Sequence, residues 1–294
     1  MLSAEQLEQY EREGFLVIPN FFSAEQSQLL LKEAKKVLDE FDVSGHPMTK
    51  FTTSREEHVG DDYFLTSGDK IRFFFEEGAI DAYGKLKVDK ARAVNKVGHA
   101  LHELNPTFQA FSQQGQVANL VRQLGFKDPR LLQSMLIFKQ PYIGGPVPIH
   151  QDSTFLYTEP LSATGFWFAL EDCTTQNGCL YFLPKSHKTH PVQRRFVRVE
   201  KQGPDMSTVT GTTFVGGDEY KVPEDAFVKA ECKAGTLVLI HGSTVHKSGP
   251  NYSDKSRYVY TFHVIEGEAT YDDKNWLQIP GAAGEKGSAR FTRI

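Results

Sequence analysis

The second half of the chain consists of short apolar runs separated by turn residues, and this pattern constrains the fold more than any other feature. Gly, Pro, Asn and Asp residues stand between the runs. The runs lie at residues 135–139, 154–157, 165–170, 180–183, 227–230, 236–240 and 258–264. Short strands with frequent turn signals are typical of antiparallel sandwiches and barrels, of which the jelly roll is the double-sheeted form. We therefore predict a mainly β fold with a jelly-roll core.

The first 130 residues carry helix signals instead. Ser3 with Gln6, and Ser23 with Gln26, have the spacing of capping boxes, in which side chains satisfy backbone amides at a helix start. They predict a short helix that ends at Gly14 and a longer helix that runs toward residue 41. Helices are also predicted at residues 94–104 and 116–124, and strands at residues 15–18 and 70–75. We expect these N-terminal helices to flank the jelly-roll core.

The length is compatible with one large β domain that carries helical additions. We predict a single domain over residues 1–294, with a mostly helical part at residues 1–130 and the jelly-roll core at residues 131–270. Residues from about 198 to 225 are rich in Gly and Thr and show little periodicity. A stretch of that length inside a compact domain is often a lid or a disordered insertion, and we predict one here.

Charge and hydropathy argue against several kinds of partner. The formal net charge is −4, so no overall positive field favours nucleic acid. No apolar run approaches the roughly 20 residues of a membrane helix, and residues 1–10 lack the regions of a secretory signal. Cys173, Cys179 and Cys232 lack paired spacing, which favours a reducing compartment. We predict a cytoplasmic protein that acts on a small molecule, without a membrane, nucleic acid or obligate protein partner.

A histidine and an aspartate stand two positions apart in the segment Ile149-His150-Gln151-Asp152. In a strand, residues i and i+2 point to the same face, so the imidazole of His150 and the carboxylate of Asp152 converge. His246 follows a predicted strand and is the best candidate for a third ligand. Two histidines and one carboxylate form the facial triad of non-haem Fe(II) enzymes, which leaves three coordination positions open.

Arg257 lies eleven residues after His246 and opens the next predicted strand. Its planar guanidinium suits a carboxylate, which it binds through two parallel hydrogen bonds. A 2-oxo dicarboxylate held at its far end by Arg257 would chelate iron in two of the three open positions and leave the last for dioxygen. The pattern therefore predicts both an iron cofactor and a dicarboxylate co-substrate.

Other histidines are assigned structural roles. His241 stands an odd number of positions before the third ligand and falls on the opposite face of an extended segment. His263 shares the strand face of Arg257 but lies about 20 Å further along. His99 and His102 lie three positions apart on a predicted helix without a nearby carboxylate, which favours a half-buried helix face over a metal pair.

A basic run precedes the predicted insertion. Its members are Lys185, Lys188, Arg194, Arg195 and Arg198. We interpret the run as a solvated loop. The functional alternative is a rim that attracts a carboxylated or phosphorylated substrate.

Motifs along the chain resemble one known family, the phytanoyl-CoA dioxygenases. The motifs are residues 64–76, Phe138-Lys139-Gln140-Pro141, His150-Gln151-Asp152, Trp167, Glu171-Asp172, Asn177-Gly178-Cys179-Leu180, residues 183–187, His241-Gly242, His246-Lys247-Ser248 and Arg257. The resemblance covers essentially the whole chain.

The resemblance implies a double-stranded β-helix of the cupin-like kind, with iron on His150, Asp152 and His246. It also implies that 2-oxoglutarate is contacted by Lys96, Met135, His150, Gln151, Asp152, Trp167, Ser248 and Arg257. The implied reaction is hydroxylation of a substrate by dioxygen, coupled to decarboxylation of 2-oxoglutarate to succinate and CO2, with ascorbate as a supporting reductant. Related halogenases have a small residue in place of the ligand aspartate. Since Asp152 is present, hydroxylation is favoured over halogenation.

Three classes of function remain open from the sequence. The first is the 2-oxoglutarate-dependent dioxygenase, acting on an unidentified small organic substrate, for which a carboxylated or acyl-type metabolite is one candidate. The second is a non-redox metalloenzyme of the cupin type, such as an isomerase or lyase, which typically uses more histidine ligands. The third is a module that binds metal or ligand without turnover.

Overall fold

The computed structural model describes residues 1–49, 62–202, 208–281, 285 and 287–294. The α-helices in this part of the chain are α1 (Ala4–Glu13), α2 (Ala24–Asp39), α3 (Asp62–Leu65), α4 (Lys90–Ala93), α5 (Leu101–Leu104), α6 (Pro106–Ser112), α7 (Gly115–Gln123) and α8 (Ser186–Thr189). Short 3-10 helices lie at Glu77–Ala79, Asp152–Thr154, Glu224–Ala226 and Gly287–Arg290.

The strands outnumber the helices. They are β1 (Phe15–Ile18), β2 (Ile71–Phe75), β3 (Val94–His99), β4 (Pro129–Lys139), β5 (Val147–His150), β6 (Thr158–Glu159), β7 (Thr164–Ala169), β8 (Leu180–Phe182), β9 (Arg194–Gln202), β10 (Thr208–Gly216), β11 (Val228–Ala230), β12 (Leu237–His241), β13 (His246–Ser248), β14 (Arg257–Glu266), β15 (Thr270–Tyr271) and β16 (Thr292–Arg293).

Two antiparallel sheets form the core. The major sheet has the strand order β1-β12-β7-β14-β4-β3-β2, and β16 also pairs with β4. The minor sheet has the order β11-β8-β13-β5. The fold is a double-stranded β-helix with a cupin-like jelly-roll core, as the sequence predicts.

The central strands of the major sheet are buried on both faces. Along β7, all residues from Thr164 to Ala169 are buried, with Phe166 and Phe168 in the large apolar cluster that contains the helices. Trp167 and Ala169 belong to a second cluster, shared with the minor sheet. Because successive side chains alternate between faces, each central strand serves two cores, and its sequence is almost continuously apolar.

The two capping boxes are confirmed. In both α1 and α2 the serine hydroxyl before the helix accepts from a backbone amide, and the glutamine side chain bonds back to the serine amide. Gly14 ends α1 in the left-handed region with φ 83°. The predicted strands at residues 15–18 and 70–75 and the helix at 116–124 also form, within a residue or so of their predicted bounds.

The helix predicted at residues 94–104 is wrong over its first half. Residues Val94–His99 form β3, which pairs with β2 on one side and β4 on the other, and only Leu101–Leu104 are helical. Val, Asn and Gly are weak helix formers, and the two neighbouring strands decide the outcome. Three strands from the first 130 residues, β1, β2 and β3, therefore belong to the major sheet.

The strand predicted at residues 154–157 is also wrong. Asp152–Thr154 form a 3-10 helix, and the backbone amides of Phe155 and Leu156 both donate to the carbonyl of Asp152, at 2.9 and 3.0 Å. The segment is rich in residues that favour strands, but this local turn determines its conformation. The turn directs the chain away from β5.

The segment at about residues 198–225 is predicted to be a lid or a disordered insertion. In the structure its first residues belong to β9, which is one of the two strands of a β-hairpin. Strands β9 and β10 pair antiparallel with Phe196 opposite Phe214, while residues 203–207 between them lie outside the described residues. The two rings pack on Phe155, with centroids 5.6 and 5.9 Å away. Aromatic cross-strand pairs stabilise hairpins, and the alternation was missed because Thr and Gly residues surround it.

No helix in the described part of the chain has the length and apolar character required to span a bilayer.

Candidate metal centre

Two histidines face each other across neighbouring strands of the minor sheet. His150 ends β5 and His246 begins β13, and the antiparallel register places the two residues opposite each other. Their ring centroids are 4.1 Å apart. Gln151 is extended, with φ −122° and ψ 133°, so the side chain of Asp152 returns to the side of His150. Asp152 lies beyond the end of β5. Because the single residue between it and His150 is extended, the two side chains still converge.

The ligand atoms of His150, Asp152 and His246 lie within 4.8 Å of one another. Oδ1 of Asp152 is 3.5 Å from Nε2 of His150 and 3.7 Å from Nε2 of His246. Nδ1 of His150 is 2.9 Å from the Pro148 carbonyl, and Nδ1 of His246 is 3.0 Å from the Thr244 carbonyl. A carbonyl can only accept, so each Nδ1 carries the proton and each Nε2 offers its lone pair. This donor set fits ferrous iron.

Burial and mutual contact set the protonation of these groups. Burial, followed by the neighbouring His150, lowers the pKa of His246 to about 4. Burial alone raises the pKa of the Asp152 carboxyl, but the imidazoles of His263 and His246 outweigh it and hold that pKa well below its usual range. At neutral pH, His246 is therefore neutral and Asp152 is ionised, which are the forms that bind a metal.

A cavity of about 560 Å³ lies between the two sheets and reaches the three ligands. The major sheet supplies rows of cross-strand neighbours, such as Met135, Thr261 and Trp167 on β4, β14 and β7. The residues outside the triad that the resemblance assigns to 2-oxoglutarate and that line this cavity are Lys96, Met135, Trp167, Ser248 and Arg257. These residues lie on five strands, β3, β4, β7, β13 and β14, which thus contribute side chains to one cavity.

Gln151 does not point into this cavity. Its amide nitrogen donates to the carbonyls of His190 and Ser243, both at 2.7 Å. Because alternate residues of an extended segment face opposite ways, the side chain between two converging ligands has to leave the site. The contacts of Gln151 fix the loops behind the metal centre.

Arg257 is buried at the end of the cavity, with 1% of its surface exposed. One guanidinium nitrogen, NH1, donates to the carbonyl of Gly178 at 2.8 Å, and the guanidinium carbon lies 5.4 Å from the ring of Trp167. Its Nε is buried without a hydrogen-bond partner among the described residues. A buried, unsatisfied donor on a permanent cation calls for an anionic acceptor, and a carboxylate fits it.

The backbone that receives Arg257 depends on Gly178. This residue has φ 88°, and a Cβ on it would lie 2.6 Å from the Gly249 carbonyl oxygen and 2.7 Å from Cδ of Lys139. Asn177 stabilises the same turn, since its side-chain oxygen accepts from the Thr174 amide at 2.7 Å. The Asn-Gly pair in the sequence is thus explained by a left-handed turn that presents a carbonyl to Arg257.

Lys96 is a second cationic group in the cavity. It is buried, and burial lowers its pKa to about 7, an effect that Glu76 partly offsets and Arg257 reinforces. The amine is therefore poised between its charged and neutral forms at neutral pH. A bound dianion would favour the charged form.

His263 is a site residue that the sequence analysis did not recognise. Its Nε2 lies 3.2 Å from Oδ2 of Asp152, and its ring lines the cavity together with Arg257. The two residues are six positions apart on β14, and the cavity extends along that whole length of strand. The alternation of positions 257, 259, 261 and 263 was the available signal, because these side chains share one face.

His99, His102 and His241 lie apart from the metal centre and have partners of their own. Nδ1 of His241 accepts from the Ser243 amide at 3.1 Å, while His99 and His102 are 2.8 Å from the hydroxyls of Ser67 and Ser134. Burial lowers the pKa of both His99 and His102 to about 3. Within the described ranges, no other three ligand-type side chains approach one another as the triad does.

The arginines of the basic run have partners within the protein, so the solvated-loop interpretation is wrong for them. Arg194 pairs with Glu219 at 2.6 Å and stacks on Phe214, and Arg195 pairs with Asp272 at 2.9 Å. The contacts of Arg198 go to backbone carbonyls of Leu65 and Trp276. Arg195 and Arg198 thus attach the hairpin to the rest of the protein, while Arg194 contacts β10 and the segment that follows it.

A second cavity, of about 490 Å³, lies on the outer side of His150. Phe155, Phe214 and Tyr220 give it an aromatic wall, and Arg194 supplies a buried polar group. His150 lines both cavities, whereas Asp152 and His246 line the first cavity and not the second.

Comparison with known proteins gives a consistent result. The family model described as phytanoyl-CoA dioxygenase (PhyH) matches residues 10–259. Phytanoyl-CoA dioxygenase domain-containing protein 1 homolog of Dictyostelium discoideum is 47% identical over 280 residues, covering 94% of this chain and 96% of the relative. Phytanoyl-CoA dioxygenase domain-containing protein 1 of Bos taurus is 45% identical over 283 residues, covering 94% and 95%.

Solved structures with the same fold include non-haem enzymes that depend on 2-oxoglutarate. The α-ketoglutarate-dependent epimerase SnoN from nogalamycin biosynthesis aligns with a TM-score of 0.65 at 18% identity, covering 98% of this chain and 94% of SnoN. EctD from S. alaskensis, crystallised with 2-oxoglutarate and 5-hydroxyectoine, aligns with a TM-score of 0.63 at 17% identity, covering 99% and 87%. The carbocyclase SnoK aligns with a TM-score of 0.62 at 17% identity, covering 99% and 94%. The fold is thus shared by enzymes with different reactions.

Replacement of Gly178 tests the turn that supports Arg257. Gly178→Ala should lower the free energy of unfolding by about 2 to 4 kcal/mol, because the new Cβ meets a backbone oxygen and the left-handed conformation is strained. Gly249→Ala is the matched control, since a Cβ there meets nothing within 4 Å. Urea unfolding of both variants measures the effect. Equal stability of the two variants would show that the turn tolerates a side chain.

Proposed function

The chain belongs to the phytanoyl-CoA dioxygenase family, and we propose that it is an Fe(II)- and 2-oxoglutarate-dependent dioxygenase that hydroxylates a small organic substrate. Family membership supports an oxygenase-type enzyme, and hydroxylation is the finer step that we add. When bound, iron and 2-oxoglutarate supply dioxygen activation, with oxidative decarboxylation of the co-substrate to succinate and CO2. The protein supplies geometry and charge.

One observation supports this function above the others, namely the arrangement of Arg257 relative to the triad. His150, Asp152 and His246 would hold the iron, and the buried Nε of Arg257, which lacks a partner in the described part of the protein, would bind the far carboxylate of 2-oxoglutarate. A non-redox cupin enzyme has no chemical reason to bury an arginine beyond its metal ligands. A binding module without turnover has no need of open coordination positions.

We call the cavity between the two sheets the inner cavity. Its walls suit a charged co-substrate because they exclude most of the water. Leu180, Ile240 and Trp167 line it and are almost fully buried, which limits water and strengthens each ionic contact. Lys96 would add a positive charge near the dianion, and Ser248 a hydroxyl. The chain's own part in the reaction is thus to bind, orient and desolvate 2-oxoglutarate.

We propose that the prime substrate occupies the outer cavity beside His150. Its aromatic wall of Phe155, Phe214 and Tyr220 favours an apolar body. Arg194 lines this cavity, is paired with Glu219, and has a buried Nε without a partner within the described residues. These features support a substrate that is apolar over much of its surface and carries one acceptor group, such as a carboxylated or acyl-type metabolite.

We also propose the cytoplasm as the compartment, since Cys173, Cys179 and Cys232 are free thiols and a reducing environment would preserve them. Dioxygen is the second co-substrate under this proposal, and ascorbate would keep the iron ferrous.

The activity test is release of succinate from 2-oxoglutarate. With Fe(II), ascorbate and air, the protein should form succinate, and a chelator should abolish the release, which added Fe(II) should restore. His246→Ala should bind less iron per chain and lose turnover, because one of three ligands is gone. His241→Ala, outside the triad, is the matched control. No succinate and no 2-oxoglutarate binding by the parent protein would favour a non-redox enzyme or a binding module.

The anchor is tested by Arg257→Ala. The variant should bind 2-oxoglutarate about 10- to 100-fold more weakly, because it loses charge-assisted hydrogen bonds to the ligand. Its iron stoichiometry should stay at the parental value, since Arg257 is not a metal ligand. Anaerobic titration calorimetry measures both, with Arg92→Ala at the surface as the control. Unchanged 2-oxoglutarate affinity would remove Arg257 from this role.

The protonation of Lys96 should make 2-oxoglutarate binding depend on pH. Its pKa of about 7 in the free cavity means that the amine is largely neutral above that pH, and a bound dianion would raise the pKa. Binding at about pH 8 should therefore take up protons, and affinity should fall as pH rises. Calorimetry in buffers of different ionisation enthalpy counts these protons.

Lys96→Met should abolish this proton uptake, and Lys127→Met at the surface should retain it. Proton uptake that persists in Lys96→Met would assign the effect to another group.

A further inference from the structure

The two oxygens of Asp152 have different surroundings. Oδ1 faces the Nε2 atoms of His150 and His246, at 3.5 and 3.7 Å. Oδ2 lies 3.2 Å from Nε2 of His263, on β14 of the opposite sheet, and it has no hydrogen-bond partner among the described residues. One oxygen of the carboxylate is thus directed at the metal centre and the other at a histidine outside the triad.

The neighbours of His263 define which of its nitrogens carries the proton. Gln133 is its cross-strand partner on β4, and the amide nitrogen of Gln133 lies 3.5 Å from Nδ1 of His263. With the amide of Gln133 in this orientation, its nitrogen is the donor and Nδ1 of His263 is the acceptor. In the neutral ring the proton then sits on Nε2, which faces Oδ2 of Asp152.

The packing around this contact is close. Gly165 lies opposite His263 on β7, and a Cβ on Gly165 would lie 3.2 Å from Oδ2 of Asp152 and 3.4 Å from Nε2 of His263. Any larger residue at position 165 would press on both groups. Asp152 and His263 are themselves almost fully buried, so water does not compete strongly for the carboxylate.

We propose that His263 is a positioning residue, which donates from Nε2 to Oδ2 of Asp152 and thereby restricts the aspartate to one-oxygen ligation. The inference rests on the proposed function. With both oxygens on the metal, Asp152 would take one of the three positions that the triad leaves open. The 2-oxo acid needs two of them, so the position for dioxygen would be lost.

The geometry favours this role over direct ligation by His263. Nε2 of His263 approaches the oxygen of Asp152 that faces away from the other two histidines. The set of mutually close ligand atoms contains His150, Asp152 and His246 only, among the residues that the structure describes. His263 therefore acts on the metal through Asp152.

The test uses nitric oxide, which occupies the dioxygen position of a ferrous site without turnover. The full-length protein is loaded with Fe(II) and 2-oxoglutarate under anaerobic conditions, and nitric oxide is titrated by electron paramagnetic resonance. His263→Phe and His263→Leu lack the donor but differ in shape. Both should bind nitric oxide about 10- to 100-fold more weakly than the parent, the loss expected for a hydrogen bond to a charged group. Their iron and 2-oxoglutarate stoichiometries should not change.

His263→Gln is the rescue variant, because its amide can still donate to Asp152. It should bind nitric oxide within about threefold of the parent. His241→Phe, at a half-buried histidine outside the site, should have no effect on nitric oxide binding. A merely structural role of His263 would change thermal stability in all three variants without separating glutamine from phenylalanine and leucine.

Parental nitric oxide affinity in either His263→Phe or His263→Leu would overturn the proposal. Loss of iron from those variants would overturn it as well, because His263 would then be a ligand. Failure of the proposed function is recognised separately, since the parent protein would then neither bind 2-oxoglutarate nor release succinate from it.

Discussion

The pairing of β5 with β13 is the contact on which the rest of the site depends. It sets His150 opposite His246, and the one extended residue after His150 brings Asp152 to the same point. Hydrogen bonds from both Nδ1 atoms to backbone carbonyls then orient the rings. A shift of one residue in this register would turn one imidazole to the other face of the sheet, and the donor set would be lost.

The major sheet adds side chains that make the two ends of the cavity chemically different. β14 passes along the cavity and carries Arg257 at one end and His263 at the other, on one strand face. Arg257 places its guanidinium where an anion fits, and Nε2 of His263 lies 3.2 Å from Oδ2 of Asp152. The cavity is therefore polarised, with fixed positive charge at the end that holds Arg257 and the metal-ligand side chains at the end near His263.

The sequence correctly predicted features that depend on interactions between residues close together in the chain. The capping boxes, the strands at residues 15–18 and 70–75 and the spacing of His150 and Asp152 each involve neighbouring residues, and each is found in the structure. Non-local pairing defeated the same reasoning at residues 94–104, where two flanking strands impose an extended chain on weak helix formers. His263 was missed for a related reason, since only the packing of two sheets shows that its ring reaches Asp152.

In the proposed site, His150, Asp152 and His246 hold one ferrous ion while Arg257 binds the far carboxylate of 2-oxoglutarate. A crystal structure of the protein grown anaerobically with Fe(II) and 2-oxoglutarate, with anomalous diffraction at the iron edge, tests this arrangement. We expect one iron peak bonded to the two Nε2 atoms and to Oδ1 of Asp152, and a ligand carboxylate on the guanidinium of Arg257. An iron peak elsewhere, or a 2-oxoglutarate molecule that avoids Arg257, would contradict it.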